Sequence, residues 1–348
     1  MWDIANQTPY AAGWALTTDP TGADVWVVAV KGTFAIAGDG RLKVADKQEP
    51  VLMMPVYRGD PVTSSLIYES DLDFPKRTTD VLVNGHAYAP SGRSCTEVSV
   101  IVRVGAMEKR LVVHGDRVWQ GGLVSPTLSE PVPFDRMPVV YERAFGGIAD
   151  GANPAKPIWE PRNPIGTGLA ATAASVIGVR APNIEAPGQS IGSWKDKVVP
   201  IGFGAVARHW RPRVQYAGTY DSTWQRDRFP LLPADFDTRF FQCAPEDQQT
   251  PQFLKGNEQV ELHNLTPDGY LSFLLPRETI GFRTRIGSDL IEHRGSLYTV
   301  IIEPDHPRVI MVWVSGVPCH GKKYRLQRTV VLQKKLMPRS SAPSVARA

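Results

Sequence analysis

Apolar residues recur at both ends of the chain with the pattern of β-strands. The clearest case is Asp24–Ile36 (DVWVVAVKGTFAI), which is rich in β-branched and aromatic residues and is followed by the turn residues Gly38, Asp39 and Gly40. Near the other end, Thr266–Gly269 (TPDG) separates two further strands and predicts a hairpin. The other predicted strands are Arg41–Val44, Thr79–Tyr88, Glu97–Val104, Lys109–Val113, Glu258–Leu265, Tyr270–Leu275, Thr279–Arg285, Leu297–Glu303, Val309–Val314 and Tyr324–Leu332.

The middle of the chain has neither a strand nor a helix period. From about Gly115 to Pro200 it is rich in proline and glycine, which favour ordered irregular loops. Two short helices are predicted in and after this region. One is the Ala-rich Leu169–Ile177, which has no clear N-cap, and the other follows Asp221, whose carboxylate can cap it.

These patterns predict a mainly β protein of antiparallel, sandwich-like sheets, with long ordered Pro/Gly-rich loops and one or two short helices. We expect an N-terminal β region at 1–120, a loop-rich central region at 121–256, and a C-terminal β region at 257–337 that packs with the first. The small, polar and basic tail 338–348 is predicted to be disordered.

Composition narrows the class of protein. Of the 348 residues, 42% are hydrophobic and 21% charged, as in a soluble globular protein, and a net charge of +4 without a basic stripe does not favour nucleic acid as a partner. Three widely spaced cysteines predict a reducing compartment. No signal peptide or membrane-spanning stretch is recognisable, so we expect a cytoplasmic protein without a membrane partner.

The search for catalytic and cofactor motifs yields no constellation. The seven histidines show no metal-ligand spacing, and the chain contains no nucleophile elbow, phosphate-binding loop or dinucleotide fingerprint. We therefore predict no catalytic residues, no metal and no cofactor. The open alternative is a carbohydrate-active hydrolase that would use a carboxylate pair near tryptophans, drawn from Glu185, Asp221, Asp235 and Asp237.

The most distinctive segment is 202–247, in which six arginines and no lysine are interspersed with aromatic residues and proline. Arginine binds carboxylates through two parallel hydrogen bonds and stacks on rings, so this composition is typical of a recognition surface or of a rigid internal network. Six acidic residues in the same segment could pair with all six arginines internally. Both interpretations stay open at this point, as does the choice between surface and core for Trp210 and Trp224.

Several long motifs resemble one bacterial family. They are FDRMPVVYERAFGG, NPIGTG, PNIE, the block from Pro200 to Gln248, LKGNEQVELHNLTPDG and LYTVIIEPDHPRVIMVWV, and the resemblance that they carry covers the chain from about Asn6 to Leu332. The chain resembles the domain-of-unknown-function family that is encoded in type VI secretion clusters, whose members act as effector adaptors or chaperones. Two positions depart from the family pattern, at Gly168-Leu169 and at Ser315.

The resemblance implies a non-catalytic cytoplasmic protein that binds a PAAR-containing effector and helps to load it on the VgrG spike. No catalytic residues come with the family. A partner surface of this kind uses aromatic and arginine anchors, so we predict contacts at Arg143, Trp210, Arg211, Tyr220, Trp224 and Arg228. A structural component of the secretion machine is the second alternative, and it would self-assemble.

Overall fold

The computed structural model describes residues 2–121, 125–149 and 156–333, so the predicted disordered tail lies outside the described residues. The N-terminal strands are β1 Asp3–Asn6, β2 Ala11–Thr18, β3 Asp24–Ile36, β4 Leu42–Val44, β5 Val56–Tyr57, β6 Leu66–Tyr68, β7 Asp80–Val83, β8 His86–Tyr88, β9 Glu97–Val104, β10 Met107–His114 and β11 Trp119–Gln120. The central strands are β12 Thr127–Leu128, β13 Arg136–Pro138, β14 Phe145–Gly146, β15 Ile148–Ala149, β16 Ile158–Trp159, β17 Thr167–Gly168 and β18 Ile184–Glu185. The C-terminal strands are β19 Gln259–His263, β20 Tyr270–Leu274, β21 Ile280–Ile286, β22 Asp289–Arg294, β23 Ser296–Glu303, β24 Arg308–Pro318 and β25 Leu326–Gln333.

Helical structure is sparse within the described ranges. The α-helices are α1 Ala173–Val176 and α2 Ser222–Asp227, and both belong to the loop-rich middle of the chain. Neither is long and apolar enough to cross a membrane, and the described residues contain no other helix that could. Short 3₁₀ turns occur at Pro90–Gly92, Tyr141–Arg143, Arg213–Ala217, Thr238–Phe241, Glu246–Gln248 and Lys323–Arg325. The predicted mainly β fold with one or two short helices is confirmed.

A six-stranded sheet lies at the centre of the molecule, in the order β2-β3-β24-β23-β7 with β4 also paired to β3. Its two longest strands, β3 and β24, pair antiparallel along all 11 residues of β24, from Val25 opposite Pro318 to Ala35 opposite Arg308. Both strands are buried along nearly their whole length. Strands from the two ends of the sequence are therefore joined in one sheet. The division of the chain into regions at 1–120, 121–256 and 257–337 stays a prediction.

Two further sheets pack with this central sheet around one apolar core. Their orders are β1-β25-β21-β22 and β18-β10-β9-β19-β20. Trp26 and Val28 of β3, Phe282 of β21 and Val100 of β9 all belong to the same buried cluster. Most strand pairs are antiparallel, but β1 with β25, β7 with β23 and β14 with β17 run parallel.

A chain of polar side chains connects two of the sheets through the core. The Trp26 indole donates to Thr329 Oγ1 at 2.9 Å, and Thr329 shares a 2.8 Å hydrogen bond with Thr284. His293 lies between Thr284 Oγ1 and Ser315 Oγ, at 2.8 Å from each. Ser315, at which the chain departs from the pattern of the resembled family, thus has a structural role in the core.

Asp80 of β7 connects the central sheet to the loop-rich middle of the chain. Its carboxylate accepts from Lys76 Nζ at 2.6 Å, from Gln242 Nε2 at 2.9 Å and from the Cys243 backbone N–H at 2.8 Å. Lys76 and Asp80 are both buried, and a buried ion pair is tolerated only when further hydrogen bonds satisfy its charges. This pair therefore fixes residues 242–243 on the sheet.

The structure corrects several local predictions. The predicted strand Thr79–Tyr88 is two strands, β7 and β8, that are interrupted at Asn84 and Gly85. α1 has an N-cap after all, because Thr172 and Ser175 form a reciprocal capping box. Asp221 caps α2 as predicted, by accepting from the Trp224 N–H. Strands β1, β2 and β22 were not predicted.

Removal of the Asp80 carboxylate should be strongly destabilising. In Asp80→Ala the Lys76 cation stays buried without its partner, so we expect a loss of about 3–5 kcal/mol in the free energy of unfolding, measured by urea denaturation. The matched control is Asp39→Ala, which breaks an exposed, solvent-screened pair with Arg41 and should change the free energy of unfolding far less. Equal losses in the two variants would contradict the role of Asp80.

Stability should also fall in acid because of His293. Burial lowers the pKa of His293 to about 4, against about 6.5 in the unfolded chain. Because the folded pKa lies below the unfolded value, the contribution of neutral His293 to the free energy of unfolding is complete above pH 6.5. It is lost as the pH falls toward 4. Between pH 7 and pH 4.5, the free energy of unfolding should decrease by about 2 kcal/mol less in His293→Gln than in the wild type. The exposed His306, replaced in His306→Gln, should leave the wild-type decrease unchanged.

Candidate partner-binding surface

The arginine-rich segment 202–247 is anchored to the body of the protein by two of its arginines. Arg213 is buried and donates to Glu69 Oε2 at 2.7 Å, to the Val206 carbonyl at 2.6 Å and to the Phe240 carbonyl at 3.0 Å. Arg208 donates to Glu69 at 3.0 Å and to both oxygens of Asp73 at 2.8 Å. Burial and the charge of Glu69 raise the pKa of Asp73 to about 6, although Arg208 opposes that shift.

The expectation that the six arginines can all pair within the segment is wrong. Glu69 and Asp73 lie more than 100 residues upstream of their arginine partners, and only Arg226 with Asp227 and Arg239 with Asp237 form ion pairs inside the segment. A count of the charges within 202–247 does not include carboxylates that are distant in sequence. The segment is therefore partly an internal framework, and two of its parts reach the surface.

The first exposed part is an aromatic cluster of Tyr220, Trp224 and Phe229. The Trp224 ring packs edge-on against Tyr220 at a centroid distance of 4.7 Å and against Phe229 at 5.7 Å. Tyr220 is 55% exposed and Phe229 is 67% exposed. Two exposed rings packed on the half-buried Trp224 form the kind of surface that binds other proteins.

Hydrogen bonds hold the aromatic cluster in place from below. Asp221 caps α2, and the Trp224 indole donates to the Leu231 carbonyl at 2.8 Å. Arg228 donates to the carbonyls of Leu232 and Pro20, each at 3.0 Å, which ties the cluster to the turn between β2 and β3. The rings are thus fixed before any partner binds, so their ordering would cost little conformational entropy on association.

The second exposed part is a cavity of about 590 Å³, which we call the arginine cavity. Apolar side chains from 199–201 and Val206 form one side of it, and the lining cations are Lys109, Arg162, Arg211, Arg213 and Arg239. Four of these cations form an ion pair with a carboxylate: Lys109 with Asp247, Arg162 with Glu160, Arg213 with Glu69 and Arg239 with Asp237.

Arg211 differs from the other cations of the arginine cavity. Its backbone N–H donates to the Pro161 carbonyl at 2.8 Å, but its guanidinium makes no hydrogen bond or ion pair with any described residue. An exposed guanidinium beside apolar side chains can bind an incoming carboxylate through two parallel hydrogen bonds. Arg211 is therefore the lining cation of this cavity that is available to a partner.

The six predicted contact residues do not form one site. Tyr220 and Trp224 belong to the aromatic cluster with Arg228 beneath them, and Arg211 lies at the arginine cavity. Trp210 is fully buried against Tyr141, which places it in the core and removes it from the surface. Arg143 is half-buried and crosslinks loops by donating to Asp116 at 2.8 Å and Asn183 at 3.0 Å.

Two residues of these exposed parts were not predicted as contacts from the sequence. Phe229 was not among the predicted residues, and Lys109 was predicted only as part of the strand Lys109–Val113. Lys109 is buried in β10, yet its ammonium reaches Asp247 at 2.8 Å across the cavity. The signal that could have identified it is the alternation in MEKRLVV, which places Lys109 on the same buried face of the strand as Met107 and Leu111.

The carboxylates of the hydrolase alternative all have structural partners. Hydrogen bonds from Thr219 lower the pKa of Asp235, and those from Arg239 lower the pKa of Asp237. Glu185 is buried, which raises its pKa, but His114 and Arg117 more than offset that effect and leave the pKa below its usual value. A general acid needs a raised pKa, so these three carboxyls do not offer one at neutral pH.

Metal-ligating side chains are also dispersed. Within 2–121, 125–149 and 156–333, no group of three or more His, Cys, Asp or Glu side chains is arranged to hold a metal ion. The three cysteines are unpaired thiols, and two of them, Cys243 and Cys319, are buried.

Comparison with known proteins gives one result. No curated protein and no solved structure matches the chain. The profile of a bacterial family, described as uncharacterized protein conserved in bacteria (DUF2169), matches residues 21–314. This match includes the aromatic cluster, the arginine cavity and the central sheet except for β2 and the end of β24, and it shows that the chain belongs to the DUF2169 family.

Proposed function

We propose that this protein is an adaptor or chaperone of type VI secretion, which binds a PAAR-containing effector in the cytoplasm and assists its loading on the VgrG spike. The motifs from Phe134 to Val314 that resemble secretion-associated adaptors support the class of function. The observation that carries the proposal is the aromatic cluster, because it presents rigid rings to solvent on a surface that no internal contact covers.

The two exposed parts of the segment have complementary chemistry. The aromatic cluster can insert apolar area into a pocket of the partner, and Arg211 can pair with a carboxylate at the edge of the contact. A stable complex of this kind buries about 1,600 Å² in total, or roughly 20 to 30 residues on each side, which is more residues than the aromatic cluster contains. The effector is therefore expected to contact both parts or to extend beyond them.

Truncation of the exposed rings should weaken effector binding. We expect Tyr220→Ala and Phe229→Ala each to raise the Kd for the co-expressed PAAR-containing effector about tenfold, equivalent to more than about 1 kcal/mol, as measured by calorimetry. The matched control is Tyr324→Ala, which removes a ring that is 84% exposed outside the segment and should leave the Kd unchanged. Thermal melts should be the same for all three variants, because these rings lie on the surface.

Failure of the wild-type protein to bind or solubilise the effector would overturn the proposed function. Normal affinity in both ring variants, with the complex intact, would instead show that the effector contacts another face.

Reversal of the charge at the arginine cavity should act mainly on association. In Arg211→Glu the available cation becomes an anion, so we expect slower association with the effector, by about tenfold at low salt, and a smaller difference at high salt. The control is Arg226→Glu, whose guanidinium already pairs with Asp227 on the exposed surface. Stopped-flow kinetics at two ionic strengths measure the effect, and equal rates for wild type and Arg211→Glu would contradict a contact at this cavity.

A further inference from the structure

The outer edge of the central sheet carries a second feature that the aromatic cluster does not explain. β2 is the edge strand of the six-stranded sheet, and its eight residues, AAGWALTT, include no charged residue and no proline. Its pairing with β3 continues without a bulge from Ala11 opposite Lys31 to Thr18 opposite Asp24. Proteins usually protect such an edge with lysine, proline, bulges or a covering segment, because its open backbone groups pair with other strands.

The register identifies which backbone groups are open. In the turn after β2, the Asp19 N–H donates to the Ala23 carbonyl at 2.9 Å, and on the far side of β3 the Cys319 N–H donates to the Asp24 carbonyl at 2.8 Å. Because bonding direction alternates along an antiparallel strand, the odd-numbered residues of β2 bond to β3 and the even-numbered ones point outward. The outward set is Ala12, Trp14, Leu16 and Thr18, and none of their backbone groups bonds to another described residue.

This edge lies at the bottom of a groove of about 620 Å³. Ile4 of β1 borders it on one face of the sheet, and Met53, which is 62% exposed, borders it on the other. The Trp14 ring, which stacks on Trp26 at 4.6 Å, faces the Ile4 side, whereas Gly13 lies on the opposite face against Val51. The groove therefore offers a large apolar surface on one face and small side chains on the other.

We propose that β2 binds an extended, uncharged segment of the effector by strand addition. The segment would add a further strand to the central sheet, with backbone hydrogen bonds to the even-numbered residues of β2 and alternating apolar side chains against Trp14 and Met53. The absence of charge along β2 selects an uncharged segment, since a buried charge in the groove would have no partner. This inference rests on the proposed function and specifies where and how the effector contacts the protein.

Two other occupants fit the groove less well. A second copy of the chain would present the same edge, so the Ile4 and Met53 side chains of both copies would have to fit beside two strands at the roughly 4.8 Å spacing of paired strands. The chain's own residues 334–348 contain two prolines and four basic residues, which match neither the donors nor the apolar character of β2.

Amide hydrogen exchange at single-residue resolution tests the proposal with the full chain and the PAAR-containing effector. In the free protein, the amides of Ala12, Trp14 and Leu16 should exchange fast and those of Gly13 and Ala15 slowly. Effector binding should slow the first three by more than tenfold and leave the other two unchanged. This alternation is specific to strand addition, because a contact through side chains alone would not distinguish even from odd residues.

A pair of variants provides a second readout. Ala12→Pro removes one outward N–H while it keeps the bonds to β3, and we expect it to weaken effector binding at least tenfold with an unchanged melting temperature. Ala12→Ser keeps the N–H and should bind as wild type does.

Each other outcome would overturn the proposal in a recognisable way. Effector binding without protection of the even-numbered amides would reject strand addition and leave the adaptor function in place, whereas no effector binding would reject both. If the even-numbered amides of β2 are already protected in a free protein that is dimeric, the edge is covered by a second copy. If they are protected in the free full chain but not in a chain that ends at Gln333, the edge is covered by residues 334–348.

Discussion

The antiparallel pairing of β3 with β24 is the constraint on which the rest of the structure depends. It joins strands from opposite ends of the sequence, and both are buried on their two faces, so each is apolar along most of its length and the buried Lys31 of β3 pairs with Asp71. β2 and β4 add to one side of this pair, and β23 and then β7 add to the other. The other two sheets pack around the apolar core to which this pair contributes. The loop-rich middle of the chain is attached to the central sheet through Asp80.

The attachment of the middle of the chain explains how long irregular segments can present a defined surface. Glu69, Asp73 and Asp80 lie before or within β7, and each binds a residue of the arginine-rich segment from below. Loops that are fixed by buried ion pairs lose little further entropy when they bind a partner. The exposed rings and Arg211 can therefore act as a preformed surface on a segment that has almost no regular secondary structure.

The fold was more predictable from the sequence than the surface was. β3, β9 and the hairpin of β19 and β20 are long, β-branched and bounded by turn residues, so local pattern was sufficient to predict them. β2 was missed because AAGWALTT alternates small residues with larger ones rather than polar residues with apolar ones, so it lacks the pattern of a half-buried strand. The sequence could not show that Trp210 is buried and Arg211 exposed, because burial depends on contacts with Tyr141 and other residues that are distant in sequence.

The parallel pairing of β1 with β25 has a consequence for the time at which the protein can fold. Asp3 lies opposite Arg328, so the first strand of the chain finds its partner only when the last strand has been synthesised. Until then the rings of Trp2, Trp14 and Trp26, which pack together in the native state, have no completed sheet to cover them. Contacts between such distant residues make folding slow, because a long loop must close before they form. The newly made protein thus passes through a period in which its own N-terminal strands expose apolar surface, and it is vulnerable to aggregation until β25 has been synthesised.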